Sequence, residues 1–276
     1  MTTPHLITAT DLHNRLGDPA LRIIDATVLL SFDADGAHVE SGRQSYLDGH
    51  IPGAVFVDQA DQLSDPDEEA PFAAASSARF AEAVGALGVS DDSEVVVYDT
   101  VNGIWATRLW WQFGLEGFDN VSVLDGGFAA WTEAGLATET SESHYPAAHF
   151  TARRRLEKIA STDAVREATG DSSVLLINAL DRDTFAAGHI PSSVNVPFAD
   201  LVDDAGRLRS LPELRDLFDS VGALDENVAP VTYCGGGIAA TAAAFALQAL
   251  GRDDVAVYDG SMNAWTADPG RALEKS

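Results

Sequence analysis

Three short signatures each occur twice in this chain, in the same order and at nearly the same interval, and that duplication constrains the fold more than any other feature. Gly49-His50-Ile51-Pro52 returns as Gly188-His189-Ile190-Pro191. Val95-Val96-Val97-Tyr98-Asp99 is answered by Pro230-Val231-Thr232-Tyr233-Cys234, and Asp125-Gly126-Gly127-Phe128-Ala129-Ala130-Trp131 by Asp259-Gly260-Ser261-Met262-Asn263-Ala264-Trp265. One recurring tetrapeptide is within the reach of chance; an ordered set is the mark of a structural repeat. The chain is therefore expected to fold as two copies of one plan, which agrees with a length of 276 residues, near the limit for a single core.

Within each copy, short β-branched runs alternate with helix-like segments. Strands are expected at 21–26, 95–98 and 122–124, then at 174–177, 228–233 and 255–258. Such alternation implies an α/β fold, each half a parallel sheet flanked by helices. Helix starts are signposted by Thr8 or Thr10 before Asp11-Leu12, by Ser161, and by Ser210 ahead of Leu211-Pro212-Glu213. The polar stretch 138–152 lacks periodicity, so the expected division is a domain over 1–140, a linker over 141–155 and a second domain over 156–276.

Charge removes several classes of function. With 17 Lys+Arg against 43 Asp+Glu, the net charge is −26, which repels phosphate backbones and anionic lipid, and the only basic cluster, Arg153-Arg154-Arg155, is too short to line a groove. Neither nucleic acid nor membrane is expected as a partner. No apolar run approaches the ~20 residues that span a bilayer. The start Met1-Thr2-Thr3-Pro4-His5 lacks the pattern of a signal peptide, so a cytoplasmic location is expected. A single cysteine forms no intramolecular disulfide and no Cys-rich metal site, and the histidines lack ligand spacing, so neither metal nor other cofactor is expected.

That cysteine, Cys234, ends an apolar strand-like run and is followed by Gly235-Gly236-Gly237 and then by the Ala-rich, helix-favouring stretch from Ile238. Consecutive glycines let several N–H groups turn towards one point, and the helix that follows directs its positive end there. The amides of Gly235, Gly236, Gly237, Ile238 and Ala239 thus make a cradle for a sulfur anion, and a thiolate held there is a competent nucleophile. A buried structural cysteine needs no such loop. Cysteine phosphatases use a similar one with an arginine six positions after the nucleophile, where this chain has Ala240.

Two α/β halves that share the Gly-His-Ile-Pro and Asp-Gly…Ala-Trp motifs, with a cysteine loop only in the second, resemble the tandem-domain rhodanese-type sulfurtransferases. The resemblance covers nearly the whole chain. It implies that Cys234 carries sulfur as a persulfide, taken from a small-molecule donor and passed to a thiol, to cyanide or to a thioredoxin-like reductant. It also implies that the first half is a non-catalytic copy, with Asp99 in the nucleophile's place. The loop Cys234-Gly235-Gly236-Gly237-Ile238-Ala239 is closer to the mercaptopyruvate-using branch, Cys-Gly-Ser/Thr-Gly-Val-Thr, than to the thiosulfate-using branch with its basic residues. It lacks that branch's hydroxyls, and the arginines the branch places near Asn178-Ala179-Leu180 and Ala186-Ala187-Gly188 are missing. Arg182 is the nearest replacement for binding a substrate carboxylate. The donor expected is 3-mercaptopyruvate, with thiosulfate and a non-catalytic sulfur-relay module as alternatives.

Three further expectations concern the first half. Trp105, just after Gly103-Ile104, is a candidate apolar wall for the site, whereas Trp110 and Trp111 read as core. His50 and His189 read as structural because both halves carry one, although the resemblance leaves His50 an assisting role with Glu40 as its acid. Finally, the Asp99 loop, Thr100-Val101-Asn102-Gly103, is one residue longer and has one glycine in place of three, so it is not expected to form the same cradle.

Overall fold

The computed structural model describes residues 5–33, 36–68 and 70–276; the Met1–Pro4 start read for a signal peptide lies outside them. The chain forms two compact units. One comprises Met1–Pro66, Ala74–Arg154 and Ala205–Arg207, and the other Asp67–Ala73, Arg155–Asp204 and Leu208–Ser276.

The first unit is built on five parallel strands: β1 (Leu6–Ile7), β2 (Leu21–Asp25), β5 (Ala54–Phe56), β6 (Glu94–Tyr98) and β7 (Val121–Leu124), in the order β1-β7-β6-β2-β5. Val95, Val96, Val97 and Tyr98 are all fully buried, as a central parallel strand covered on both faces requires. Between β2 and β5 lies an antiparallel hairpin, β3 (Val28–Asp33) with β4 (Gly36–Ser41). No element is expected there from the sequence, because Leu29, Leu30 and Val39 are partly exposed and the ribbon is held by its own pairing rather than by the core. Residues 141–154 belong to this unit and are bound along it. Ala148 N donates to Gly85 O at 2.9 Å, Thr151 N to Asp91 Oδ1 at 2.7 Å and Arg153 N to Glu116 O at 2.7 Å. Phe150 is buried against Phe80, Phe113 and Phe118, and Arg154 pairs with the buried carboxylate of Glu116.

The second unit repeats the plan with β8 (Val174–Asn178), β9 (Val194–Asn195), β10 (Ala229–Tyr233) and β11 (Ala256–Val257), in the parallel order β11-β10-β8-β9. The outer place held by β1 in the first unit shrinks to one parallel bridge, Ile159 with Val257. Helix starts follow the sequence signals: Thr8 Oγ1 accepts from Asp11 N at 3.1 Å, Ser161 Oγ from Ala164 N at 3.2 Å, and Ser210 forms a capping box with Glu213.

The repeated motifs have the same structural task in each unit. The tyrosine that ends the central strand accepts the amide of the Gly-His-Ile-Pro turn, Ile51 N to Tyr98 Oη at 3.4 Å and Ile190 N to Tyr233 Oη at 3.1 Å. The tryptophan that ends the second motif donates Nε1–H to a carbonyl further along the chain, Trp131 to Ala137 at 2.9 Å and Trp265 to Ala272 at 3.0 Å. Among the described residues no helix is long and apolar enough to cross a membrane.

Candidate active site

Cys234 follows the last residue of β10, and its neighbours show how the second unit holds it. It is buried, with 3% of its surface exposed. Its amide donates to Ser261 Oγ at 3.0 Å, and its carbonyl accepts from Met262 N at 3.0 Å. Ser261 is itself unusual: it is fully buried at φ +49°, a left-handed conformation that costs a residue with a Cβ. Its hydroxyl compensates by donating to Tyr258 O at 2.8 Å while accepting from Cys234. The matching residue of the first unit is Gly127, at φ +55°. This clip joins the second repeated motif to the Cys234 loop and was not foreseen from the sequence; the Gly-to-Ser difference between the two Asp-Gly repeats was its only trace.

The loop then turns through Gly235 and Gly236 into Gly237, the left-handed N-cap (φ +82°) of the helix Ile238–Ala249. The first N–H groups of a helix have no acceptor inside it, and among the described residues none is found for the amides of Gly235, Gly236, Ile238 or Ala239. Thr241 turns its hydroxyl back onto Ile238 O at 2.7 Å.

What such a turn can hold is visible in the first unit. There Asp99 stands in the place of Cys234, Gly103 (φ +89°) is the left-handed cap of the helix Ile104–Leu115, and the loop, not expected to form the same cradle, closes its amides on its own carboxylate. Asp99 Oδ1 accepts from Val101 N and Gly103 N, both at 2.9 Å, and Oδ2 accepts from Trp105 N at 3.0 Å and Ala106 N at 2.9 Å. The extra residue does not break the turn, because its amides close around a carboxylate supplied by the loop itself. The same strand, loop and left-handed helix cap thus hold a resident carboxylate in the first unit and carry a thiol in its place in the second.

Arg182 opens the helix Arg182–Ala187 at the surface, 70% exposed at its side chain, and pairs with Asp200 at 2.6 Å; with its fork already on a carboxylate, it does not stand as the free guanidinium expected. Trp105 is buried, 1% exposed, in the first unit, where its amide belongs to the Asp99 cradle and its carbonyl accepts from Gln59 Nε2 at 3.0 Å. Trp110 and Trp111 are core, with the buried Arg108 over the Trp111 ring at 4.6 Å. His50 is fully buried, donates Nδ1–H to Tyr46 O at 2.7 Å and stacks on the Tyr46 ring at 3.8 Å. Its Nε2 meets no partner and Glu40 stands exposed on β4, so the assisting pair is not assembled. His189 repeats the arrangement on Phe185, 2.9 Å to the carbonyl and 3.7 Å between rings. Among the described residues no cluster of His, Cys, Asp or Glu could hold a metal.

The rhodanese-like domain model matches residues 8–134 and 161–268. The chain is 33% identical to the 3-mercaptopyruvate sulfurtransferase of Escherichia coli over 97% of its own length and 96% of that protein's. It is 32% identical to the thiosulfate sulfurtransferase of Gallus gallus, over 89% of this chain and 86% of the relative. Among solved structures, Escherichia coli SseA, described as a 3-mercaptopyruvate sulfurtransferase of the rhodanese fold, superposes with a TM-score of 0.85 at 33% identity, covering 94% of this chain and 99% of its own. Yeast Tum1, at 22% identity and a TM-score of 0.84, shares the fold. Two matched regions, a duplicated α/β plan and identity at this level over nearly the full length place the chain in the tandem-domain rhodanese-type sulfurtransferase family.

Proposed function

We propose that this protein transfers sulfur through a persulfide on Cys234, taking it from 3-mercaptopyruvate and passing it to a thiol, to cyanide or to a thioredoxin-like reductant. One observation supports the reading: the turn that encloses the Asp99 carboxylate with amides in the first unit recurs after Cys234, where among the described residues the amides of Gly235, Gly236, Ile238 and Ala239 have no acceptor and no carboxylate takes the cysteine's place. Donors so arranged can stabilise negative charge on the outer sulfur of a persulfide. The Cys234 thiolate attacks the donor sulfur. The carbon–sulfur bond breaks with its electron pair left on the carbon, which takes up the donor's thiol proton to give pyruvate, while Cys234 holds the persulfide anion. An acceptor thiolate then attacks the outer sulfur, and the sulfur–sulfur bond breaks with its pair returning to Cys234 Sγ. No oxidant or reductant is consumed in the first half-reaction, and the kinetics are ping-pong.

The choice of donor follows from charge. Thiosulfate is a compact dianion, and the loop from Gly235 to Ala239 contributes dipoles but no cationic side chain. Mercaptopyruvate brings one carboxylate and a carbonyl, which neutral donors can satisfy. The test is intact-mass analysis after incubation with 3-mercaptopyruvate. One sulfur is added to the wild-type chain, and Cys234→Ser loses both the adduct and turnover; full turnover by that variant refutes the proposal, and a higher kcat/KM with thiosulfate refutes the choice of donor.

A further inference from the structure

The loop that follows Cys234 has no polar side chain of its own, yet one is delivered to it from the neighbouring turn. Asn263 lies in the short helix Ser261–Thr266, and its backbone amide donates to Gly235 O at 2.9 Å. Together with the bonds from Cys234 N to Ser261 Oγ and from Met262 N to Cys234 O, both at 3.0 Å, this ties residues 261–263 to residues 234–235. The Asn263 backbone is therefore held beside the loop, with its exposed side chain next to Gly236.

Its Nδ2 lies 3.0 Å from the point where a Cβ on Gly236 would stand. Glycine at 236 is thus not only a matter of backbone freedom: a side chain there would meet the Asn263 amide closer than ordinary van der Waals contact allows. The same point is 3.7 Å from Pro71 O and 3.9 Å from Phe72 Cδ2, in the segment Asp67–Ala73 that belongs to this unit. Phe72 adopts φ +64°, a left-handed conformation unfavourable for an aromatic residue. The space above Gly236 is accordingly bounded by an amide on one side and by a peptide carbonyl and an aromatic edge on the other. Among the described residues the exposed Asn263 Nδ2–H groups meet no acceptor and are open to solvent or to a ligand.

We propose that Asn263 is a substrate-binding residue, whose carboxamide donates to the carboxylate of a small monoanionic sulfur donor while the loop amides hold the sulfur. It supplies a neutral donor where the loop has neither hydroxyl nor cation, and where Arg182 is engaged with Asp200. This inference rests on the reading of Cys234 as the sulfur carrier, but it can be tested without any sulfur transfer.

The experiment compares alkylation of Cys234 by iodoacetate and by iodoacetamide, reagents of the same chemistry that differ in carrying a carboxylate. For Asn263→Ala the iodoacetate rate falls about tenfold while the iodoacetamide rate stays within about twofold of wild type, since one hydrogen bond to a charged group is lost. Asn263→Asp, which sets a carboxylate against the incoming one, lowers the iodoacetate rate further, and the KM for mercaptopyruvate rises in both variants with kcat little changed. An unchanged ratio of the two alkylation rates overturns the proposal. So does an equal fall of both rates, which would make Asn263 a support of the loop rather than a ligand of the substrate. If no donor loads sulfur onto Cys234, the sulfur-transfer reading fails while the alkylation ratio still decides Asn263.

Discussion

Asp99 and Cys234 occupy one position of one turn, and they differ in where the negative charge comes from. The aspartate brings its own, and its four amide contacts at 2.9 to 3.0 Å leave that loop nothing to bind. The cysteine is neutral as a thiol, so its loop gains from any chemistry that places an anion on sulfur. Asp99→Asn should therefore be costly to the first unit: the NH₂ group would face N–H donors it cannot accept from, and the charge that strengthens the bonds would be gone. We expect a loss of about 3 kcal/mol in chemical denaturation of that unit, with sulfur uptake at Cys234 retained. Uptake lost with the fold intact would show that the first loop takes part in the reaction.

At the scale of elements, the two copies are read best at the ends of the paired strands β2 and β8. Asp25 ends β2, fully buried, with Oδ1 accepting from Thr27 N at 3.0 Å and Oδ2 unpartnered. Asn178 ends β8 in the same way, with Oδ1 accepting from Leu180 N at 2.8 Å and Nδ2 unpartnered. Burial raises the Asp25 carboxyl from its ordinary 3.8 to about 6, against the opposing bonds from Thr27. Between those values the folded chain keeps a proton that the unfolded chain has released, so stability falls as pH rises through this window and the deficit is complete above it. Asp25→Asn, which copies the second unit's solution, should leave stability nearly unchanged at about pH 4 and raise it by about 2–3 kcal/mol at about pH 7. Denaturant midpoints across that range check this; a variant less stable at neutral pH than at acid pH, relative to wild type, would contradict the assignment.

For the whole molecule, the net charge of −26 acts on every anionic substrate before it reaches the loop. A dianion is repelled about twice as strongly as a monoanion, and salt screens the difference over a Debye length of roughly 10 Å at 0.1 M. The ratio of kcat/KM for thiosulfate to that for mercaptopyruvate should therefore rise severalfold between about 0.02 M and about 0.5 M salt. A flat ratio would place the discrimination wholly in local contacts such as that of Asn263.

The duplication, the parallel strands and the glycine turn after Cys234 were legible in the sequence because each depends on neighbours in the chain. A strand buried on both faces needs apolar residues in succession, as in Val95-Val96-Val97, and a turn that gathers amides needs residues able to adopt positive φ, as at Gly237. Side-chain partners, whether remote along the chain or within one turn, were not legible. Asp200 neutralises Arg182, Ser261 and Asn263 clip the Cys234 loop, and the Asp99 carboxylate folds back on four amides of its own turn. In each case the residue type admits several orientations of similar energy, and only packing by residues far away in sequence, or closure of the backbone around a charge, selects among them. The sequence by itself determined that an α/β plan is built twice and that only the second copy carries a cysteine at the end of its central strand. The tertiary structure alone decided which donors stay open to receive an anion and which are already taken.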